Sequence, residues 1–189
     1  MARPRSFEID EALDSAIGVF WDRGYEASSM ADLMKAMGLQ KGSIYKAWKD
    51  KRALFLASLR RYLDQGYERL QALAAGEPRA ALQALFAHFT SNCSQSKRGC
   101  FGLNTAVELG PHDARVGKLL AAHRARVVDL FADVIGRGQD ARAFRADRKA
   151  RELAEFVLLV ITGMLTRSRE AFSAEEARRA ADLVLDTLR

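Results

Sequence analysis

Ser28 to Arg61 reads S-S-M-A-D-L-M-K-A-M-G-L-Q-K-G-S-I-Y-K-A-W-K-D-K-R-A-L-F-L-A-S-L-R-R, and its parse decides the fold. Ser29 with Asp32 three residues on forms a capping box, in which the serine oxygen takes an orphan backbone N–H and the carboxylate returns to the cap. A helix starts there, with Met30, Leu33, Met34 and Met37 recurring at helical spacing. Gly38 stands where a left-handed residue closes one helix and opens a tight turn. A second short helix is expected from about Gln40 to Ala47, and a long third one from Asp50. This is a helix-turn-helix.

Charge points the same way. From Lys35 to Arg61 eight basic residues stand against Asp50, a balance of +7, while the whole chain is +6, so the remainder is −1. Basic charge clustered on one segment is the electrostatic footprint of phosphate binding. A solvated, lysine-rich helix face is the plainer reading of such a run.

Working outward, Phe20-Trp21-Asp22-Arg23-Gly24-Tyr25-Glu26-Ala27-Ser28-Ser29-Met30, then Gly38, then Lys41-Gly42-Ser43-Ile44-Tyr45, Trp48, Lys51 and Ala53-Leu54 complete a dense pattern over residues 8 to 60. On these residues the chain resembles the tetracycline-repressor (TetR/AcrR-type) family of bacterial transcriptional regulators. The resemblance implies an all-α protein of about nine helices. An N-terminal three-helix helix-turn-helix DNA-binding domain, residues 1–52, precedes a C-terminal helical effector-binding and dimerisation domain, residues 53–189. It implies a homodimer on a double-stranded DNA operator, released by a small-molecule effector. By the same resemblance Ser28, Ser29 and Lys51 meet phosphates, and Lys41, Gly42, Ser43, Tyr45 and Lys46 lie on the recognition helix. That placement is chemically sensible, because helix N-termini and lysines hold phosphates while the first side chains of a recognition helix reach base edges. Ile44 and Trp48 are expected to pack inward.

The rest of the chain reads as helices. The composition is ordinary and globular, with 49% apolar residues. Met1 to Asp10 carries arginines and acids without an apolar run, so a cytoplasmic protein is expected. The basic arm Ala2 to Ser6 is read either as a minor-groove arm or as a frayed terminus. The first helix is expected over Ile9 to Arg23 with Leu13, Ala16, Ile17 and Phe20 as its apolar stripe. The third should reach about Ala75, before Gly76-Glu77-Pro78, and is long enough to act as a lever between the two halves. Leu82, Phe86, Phe89 and Cys93 mark the next core-facing stripe, with His88 and Asn92 on a neighbouring face.

Gly99-Cys100-Phe101-Gly102-Leu103-Asn104-Thr105-Ala106-Val107-Glu108-Leu109 resembles one branch of the same family, in which this stretch lines the regulatory domain. Cys100, Asn104 and Glu108 share one helical face, and polar groups on an apolar element are how a pocket orients its ligand. The expected effector pocket comprises Phe89, Cys100, Asn104, Glu108 and His123. The alternative is that Asn104 and Glu108 bond internally. Asp113 should cap a helix to about Arg137, ended by Gly136-Arg137-Gly138 and followed by a polar loop to Arg145. His123 sits in its apolar stripe and is read first as a satisfied core histidine.

Helices are then expected over about Arg148 to Arg169 and Ser173 to Leu188. Phe156 to Leu165 is apolar on all sides yet too short to cross a bilayer, so it should be buried from two directions. Phe156, Val160, Gly163 and Leu183 form the expected dimer interface, with a monomer covered by its own helices as the alternative. Two cysteines in a cytoplasmic protein do not suggest a structural disulfide. Cys93 and Cys100 are read as buried hydrophobes, with Cys100 as a candidate redox or electrophile sensor favoured by Lys97 and Arg98. No spacing supports a metal site, and no cofactor is expected. An enzyme would need Cys100 as nucleophile with His112 or His123 as base and Glu108 as orienter; that reading leaves the basic segment without a purpose.

Overall fold

The computed structural model describes residues 8–95, 98–170 and 172–189, without the side chains of 92–95. Among them are nine helices and no strand. They are α1 (Ile9–Arg23), α2 (Met30–Met37), α3 (Lys41–Trp48), α4 (Lys51–Ala74), α5 (Pro78–Gln95), α6 (Phe101–Glu108), α7 (Ala114–Asp140), α8 (Ala150–Arg167) and α9 (Ala174–Thr187). The basic arm, Lys97 and the side chain of Cys93 lie outside the described residues.

The signals local to each terminus are present. Ser29 and Asp32 make the capping box of α2, Gly38 ends it at φ 62° and ψ 24°, and Ser173 with Glu176 boxes the start of α9. Asp50 is the N-cap of α4, its carboxylate accepting the Ala53 N–H at 2.7 Å. Asp113 does the same for α7 with the N–H groups of Arg115 and Val116. One expectation is corrected. Gly136-Arg137-Gly138 does not end α7, which continues to Asp140. Gly138 serves a close approach instead: a Cβ there would stand 2.0 Å from the Phe144 ring.

Two cores result, and α4 runs through both. The first gathers Leu13, Ala16, Ile17 and Phe20 of α1, Leu33 of α2, Ile44 of α3 and Leu54, Phe55 and Leu59 of α4. That core does not stop at the three-helix head, because Phe101 of α6, Leu109 just after it and Val116 of α7 complete it. The boundary read at 52/53 therefore falls inside α4, beside residues that hold the head together. The second core packs α4, α5, α7, α8 and α9 around Phe86, Phe131, Val134 and Val157. Burying apolar surface at roughly 25 cal/mol per Å² dominates the stability of both. No described helix is long and apolar enough to cross a membrane.

Candidate functional site

Helix α3, the expected recognition helix, is held from behind. Ile44 is 1% exposed and Trp48 packs against the same core, so the opposite face must point outward. Lys41, Gly42, Tyr45 and Lys46 stand on that outward face, with Ser43 half-buried. The Lys41 ammonium lies 5.6 Å from the centre of the Tyr45 ring, one turn away. A Cβ on Gly42 would meet nothing within 4 Å, so nothing inside the protein demands glycine there. Lys49, which closes α3, has φ 68°, a conformation that side-chain-bearing residues rarely adopt.

The serines and Lys51 divide. Ser29 is exposed at the start of α2. Ser28 is 1% exposed and its hydroxyl donates to the Gly24 carbonyl at 2.5 Å, which corrects the expectation that its side chain faces phosphate. The Lys51 ammonium sits 4.4 Å from the centre of the Tyr25 ring and donates to the Glu26 carbonyl at 3.4 Å.

Pairing also redistributes the charge. Lys35, Lys41, Lys46 and Lys49 have no carboxylate within ion-pair distance among the described residues. Arg52 instead forms a two-pronged pair with Asp113 at 2.7–2.8 Å, and Arg61 does so with Asp14. These bonds hold the carboxyls of Asp113 and Asp14 below the usual carboxylate range. Within residues 35–61 the unpaired lysines of α2 and α3 thus stand open, while Arg52 and Arg61 of α4 act as fasteners.

Helix α6 is bolted to the head at both ends. At its far end the Glu108 carboxylate accepts the N–H groups of Tyr25 and Glu26 at 3.0 and 2.9 Å. Gly24, at φ 80° and ψ 177°, makes this approach possible, since a Cβ there would lie 2.8 Å from a Glu108 oxygen. Ahead of α6, Arg98 pairs with Asp22 at 2.6 Å, donates to the Gly18 carbonyl at 3.0 Å and stacks on Trp21. Trp21 in turn donates to the Gly99 carbonyl at 3.2 Å. Asn104 donates to the Arg98 carbonyl at 2.8 Å, bracing the turn that carries these contacts.

The five residues expected to line an effector pocket are therefore not gathered around one cavity. Asn104 and Glu108 face the seam with the head and line a groove of about 450 Å³ there, together with Trp21, Leu103, Leu165 and Arg169. Cys100 faces α4, where the Tyr62 hydroxyl donates to its sulfur at 3.7 Å. Burial first, and the cysteine second, push the Tyr62 phenol far above its ordinary value. His123 is half-buried against Tyr67, at 6.5 Å between ring centres, and Arg126 stacks on that tyrosine while bonding Asp64. Phe89 packs beside Phe131 in the second core. Sequence spacing had put Cys100, Asn104 and Glu108 on one face of α6 but says nothing about what that face meets.

His123 is corrected too. Its Nδ1 is buried without a hydrogen-bond partner among the described residues, so it does not read as a satisfied core histidine. Burial chiefly, and Arg126 next, hold its pKa below the ordinary imidazole range, against the opposing charge of Asp64. Of the residues an enzyme would need, Cys100 has a tyrosine as its hydrogen-bond neighbour and Glu108 is engaged by backbone amides. No group of three potential metal ligands occurs among the described residues.

On α8 and α9 an apolar face is left open. Phe156 is 44% exposed, Leu159 70% and Leu183 67%, while Val157, Ile161 and Met164 on the other side of α8 are buried. Val160 is half-buried between the faces, and Gly163 is exposed with nothing within 4 Å of its missing side chain. Leu159 was not singled out from sequence, although it lies one turn ahead of Gly163.

Comparison with known proteins bears on both halves. The family model described as "Bacterial regulatory proteins, tetR family" matches residues 12–58, and "Tetracyclin repressor-like, C-terminal domain" matches 66–184. The HTH-type transcriptional repressor ComR of Escherichia coli (strain K12) is 32% identical over 188 residues, covering 97% of this chain and 90% of ComR. YezE of Bacillus subtilis (strain 168), an HTH-type transcriptional regulator, is 30% identical over 146 residues, 74% of each chain. Among solved structures, a cysteine mutant of the TetR family transcriptional regulator CifR, complexed with 26 bp double-strand operator DNA, superposes with a TM-score of 0.85. It is 30% identical and covers 97% of this chain and 98% of its own.

Proposed function

The chain belongs to the tetR family of bacterial regulatory proteins, and from that premise we propose that it is an effector-released repressor acting as a homodimer. Each subunit's α3 enters one major-groove segment of a pseudo-palindromic operator, the two segments being separated by about one helical turn or slightly more. Residues 1–52 supply the DNA-binding part and 53–189 the effector-binding and dimerisation part, with α4 belonging to both. The observation that carries this reading is the outward face of α3, where Lys41, Tyr45 and Lys46 stand without acidic partners over a buried Ile44. Lys41 and Tyr45 read bases. Lys51, Ser29 and the start of α2 hold phosphates. With DNA as its partner, the protein works in the cytoplasm.

The open face of α8 and α9, with Phe156, Leu159, Val160, Gly163 and Leu183, is the surface for the second subunit. The effector acts on the region where α4, α5, α6 and α7 meet, around Phe89, Cys100 and His123. Asn104 and Glu108 pass the change to the head through the contacts of α6, and α4 shifts with it. Operator and effector then weaken each other's binding by the same factor, because coupling is reciprocal. The place of Cys100 at the start of this bolted helix favours release by an oxidant or electrophile over a passive core role. No catalytic role is proposed.

The test is anisotropy with the DNA flanking the gene, at fixed salt. Lys51→Ala should weaken binding to every sequence and lower the salt slope by about one unit, whereas Lys41→Ala and Tyr45→Ala should alter discrimination among operators. Equal losses on all sequences for all three variants would remove the division between positioning and reading. Cys100→Ser should keep DNA binding and abolish release by an electrophile; undiminished release would return Cys100 to the core.

A further inference from the structure

The groove on the seam between α1, α6 and the end of α8 is lined by neither Cys100 nor His123. At about 450 Å³ it falls within the range of small-molecule sites, which is roughly 300–1,000 Å³. Its walls are apolar along Trp21, Leu103, Val107 and Leu165, and Val107 is 83% exposed.

Its charges are unevenly matched. Of the two acids on its wall, Asp22 is held by Arg98 at 2.6 Å and Glu108 by the two amides of the head. Of its two arginines, Arg23 is paired with Asp32 at 2.8 Å. Arg169 has no carboxylate partner among the described residues. Its stem lies close to the segment before α6: a Cβ on Gly99, at φ 68°, would stand 2.9 Å from Arg169 Cγ, so the glycine leaves room for the arginine there. A guanidinium fork on the wall of a partly apolar groove matches a planar carboxylate on a hydrocarbon body.

We propose that this groove binds a small amphipathic carboxylate, its acid group on Arg169 and its apolar body along Leu103, Val107 and Leu165. The ligand wedges between the head and the end of α8, beside the Gly24–Glu108 contact, and so sets where the head sits. Binding itself does not depend on the regulator reading; its consequence for DNA does.

Decanoate, below its micellar concentration, is titrated calorimetrically into the full-length protein, with decanol as the uncharged control. One decanoate per chain is expected, with affinity lowered at least about tenfold by Arg169→Gln, the loss expected for a charge-assisted hydrogen bond. Decanol should bind both proteins alike, and Val107→Glu should weaken both ligands. Absence of saturation, or equal decanoate binding by the parent and Arg169→Gln, overturns the proposal. So does dissociation of a dimer by Val107→Glu without ligand, since a second copy would then cover the groove. Operator anisotropy on the same samples separates the failures. A protein that binds operator but not decanoate loses only this site, and one that binds decanoate but no operator loses the regulator reading.

Discussion

Replacing Gly24 by alanine tests the joint between head and body with a magnitude that follows from geometry. At φ 80° and ψ 177° the backbone occupies a region nearly closed to residues with a Cβ, at a cost of about 1–3 kcal/mol. The new methyl would also stand 2.8 Å from a Glu108 oxygen and must expel the carboxylate from the amides of Tyr25 and Glu26. Hydrogen bonds to a charged group contribute about 1.5–3 kcal/mol each when buried. Since Glu26 is exposed, about 2 kcal/mol for the pair together is the better figure. Gly24→Ala should therefore destabilise by about 3–5 kcal/mol and Glu108→Ala by about 2 kcal/mol. The double variant should cost little more than Gly24→Ala alone, because the carboxylate is lost only once. Urea unfolding of the four proteins gives the cycle, and the expected coupling is about 2 kcal/mol. Additive losses, within about 0.5 kcal/mol, would show that Glu108 does not hold the head through this loop.

Three further outcomes are expected. Leu159→Asp, on the open face of α8, should convert a dimer to a monomer in light scattering while changing the stability of the single chain by no more than about 0.5 kcal/mol; a persisting dimer would move the interface elsewhere. Burial holds the pKa of both His123 and His88 below the ordinary value, so the unfolded chain takes up protons first as pH falls below about 6.5. Stability should then drop with falling pH, by at most about 1.4 kcal/mol per unit for each histidine, and His123→Gln should reduce that slope without abolishing it. A slope identical to the parent's between pH 7.5 and 5.5, values chosen to span about the imidazole range, would mean His123 stays accessible to protons. Phe101→Ala should cost about 3–5 kcal/mol in one transition that removes operator binding as well, because this ring, 1% exposed, packs against Trp21, Phe55 and Tyr62. Two separate transitions would contradict the shared core.

What the sequence made legible is what a few adjacent residues determine. Both capping boxes, the left-handed Gly38 and the inward Ile44 depend on neighbours within one helical turn, and each is found where the spacing put it. Partners distant in the chain were not legible. Glu108 meets Tyr25 across 83 positions, and Arg52 meets Asp113 across 61. No local pattern distinguishes a carboxylate aimed at a ligand from one aimed at a loop. Gly138 was read as a helix stop because the ring it accommodates, Phe144, lies beyond the helix end. The inward turn of Ser28 and the unpartnered Nδ1 of His123 likewise depend on how whole helices pack.

The core that α6 and α7 complete for the head has a consequence for recombining such proteins. A chimera that joins the first 52 residues to a foreign sensor would separate Phe20, Leu33 and Ile44 from Leu54, Phe55 and Leu59, and from Phe101, Leu109 and Val116, which complete their core. The crossover that preserves the native surfaces is not a point in the chain. It is a patch that takes the first half of α4 with the turn between α6 and α7, including both Glu108 and Asp113. Biosensors built by swapping operator specificity should therefore transplant only the outward residues of α3 and leave the seam intact.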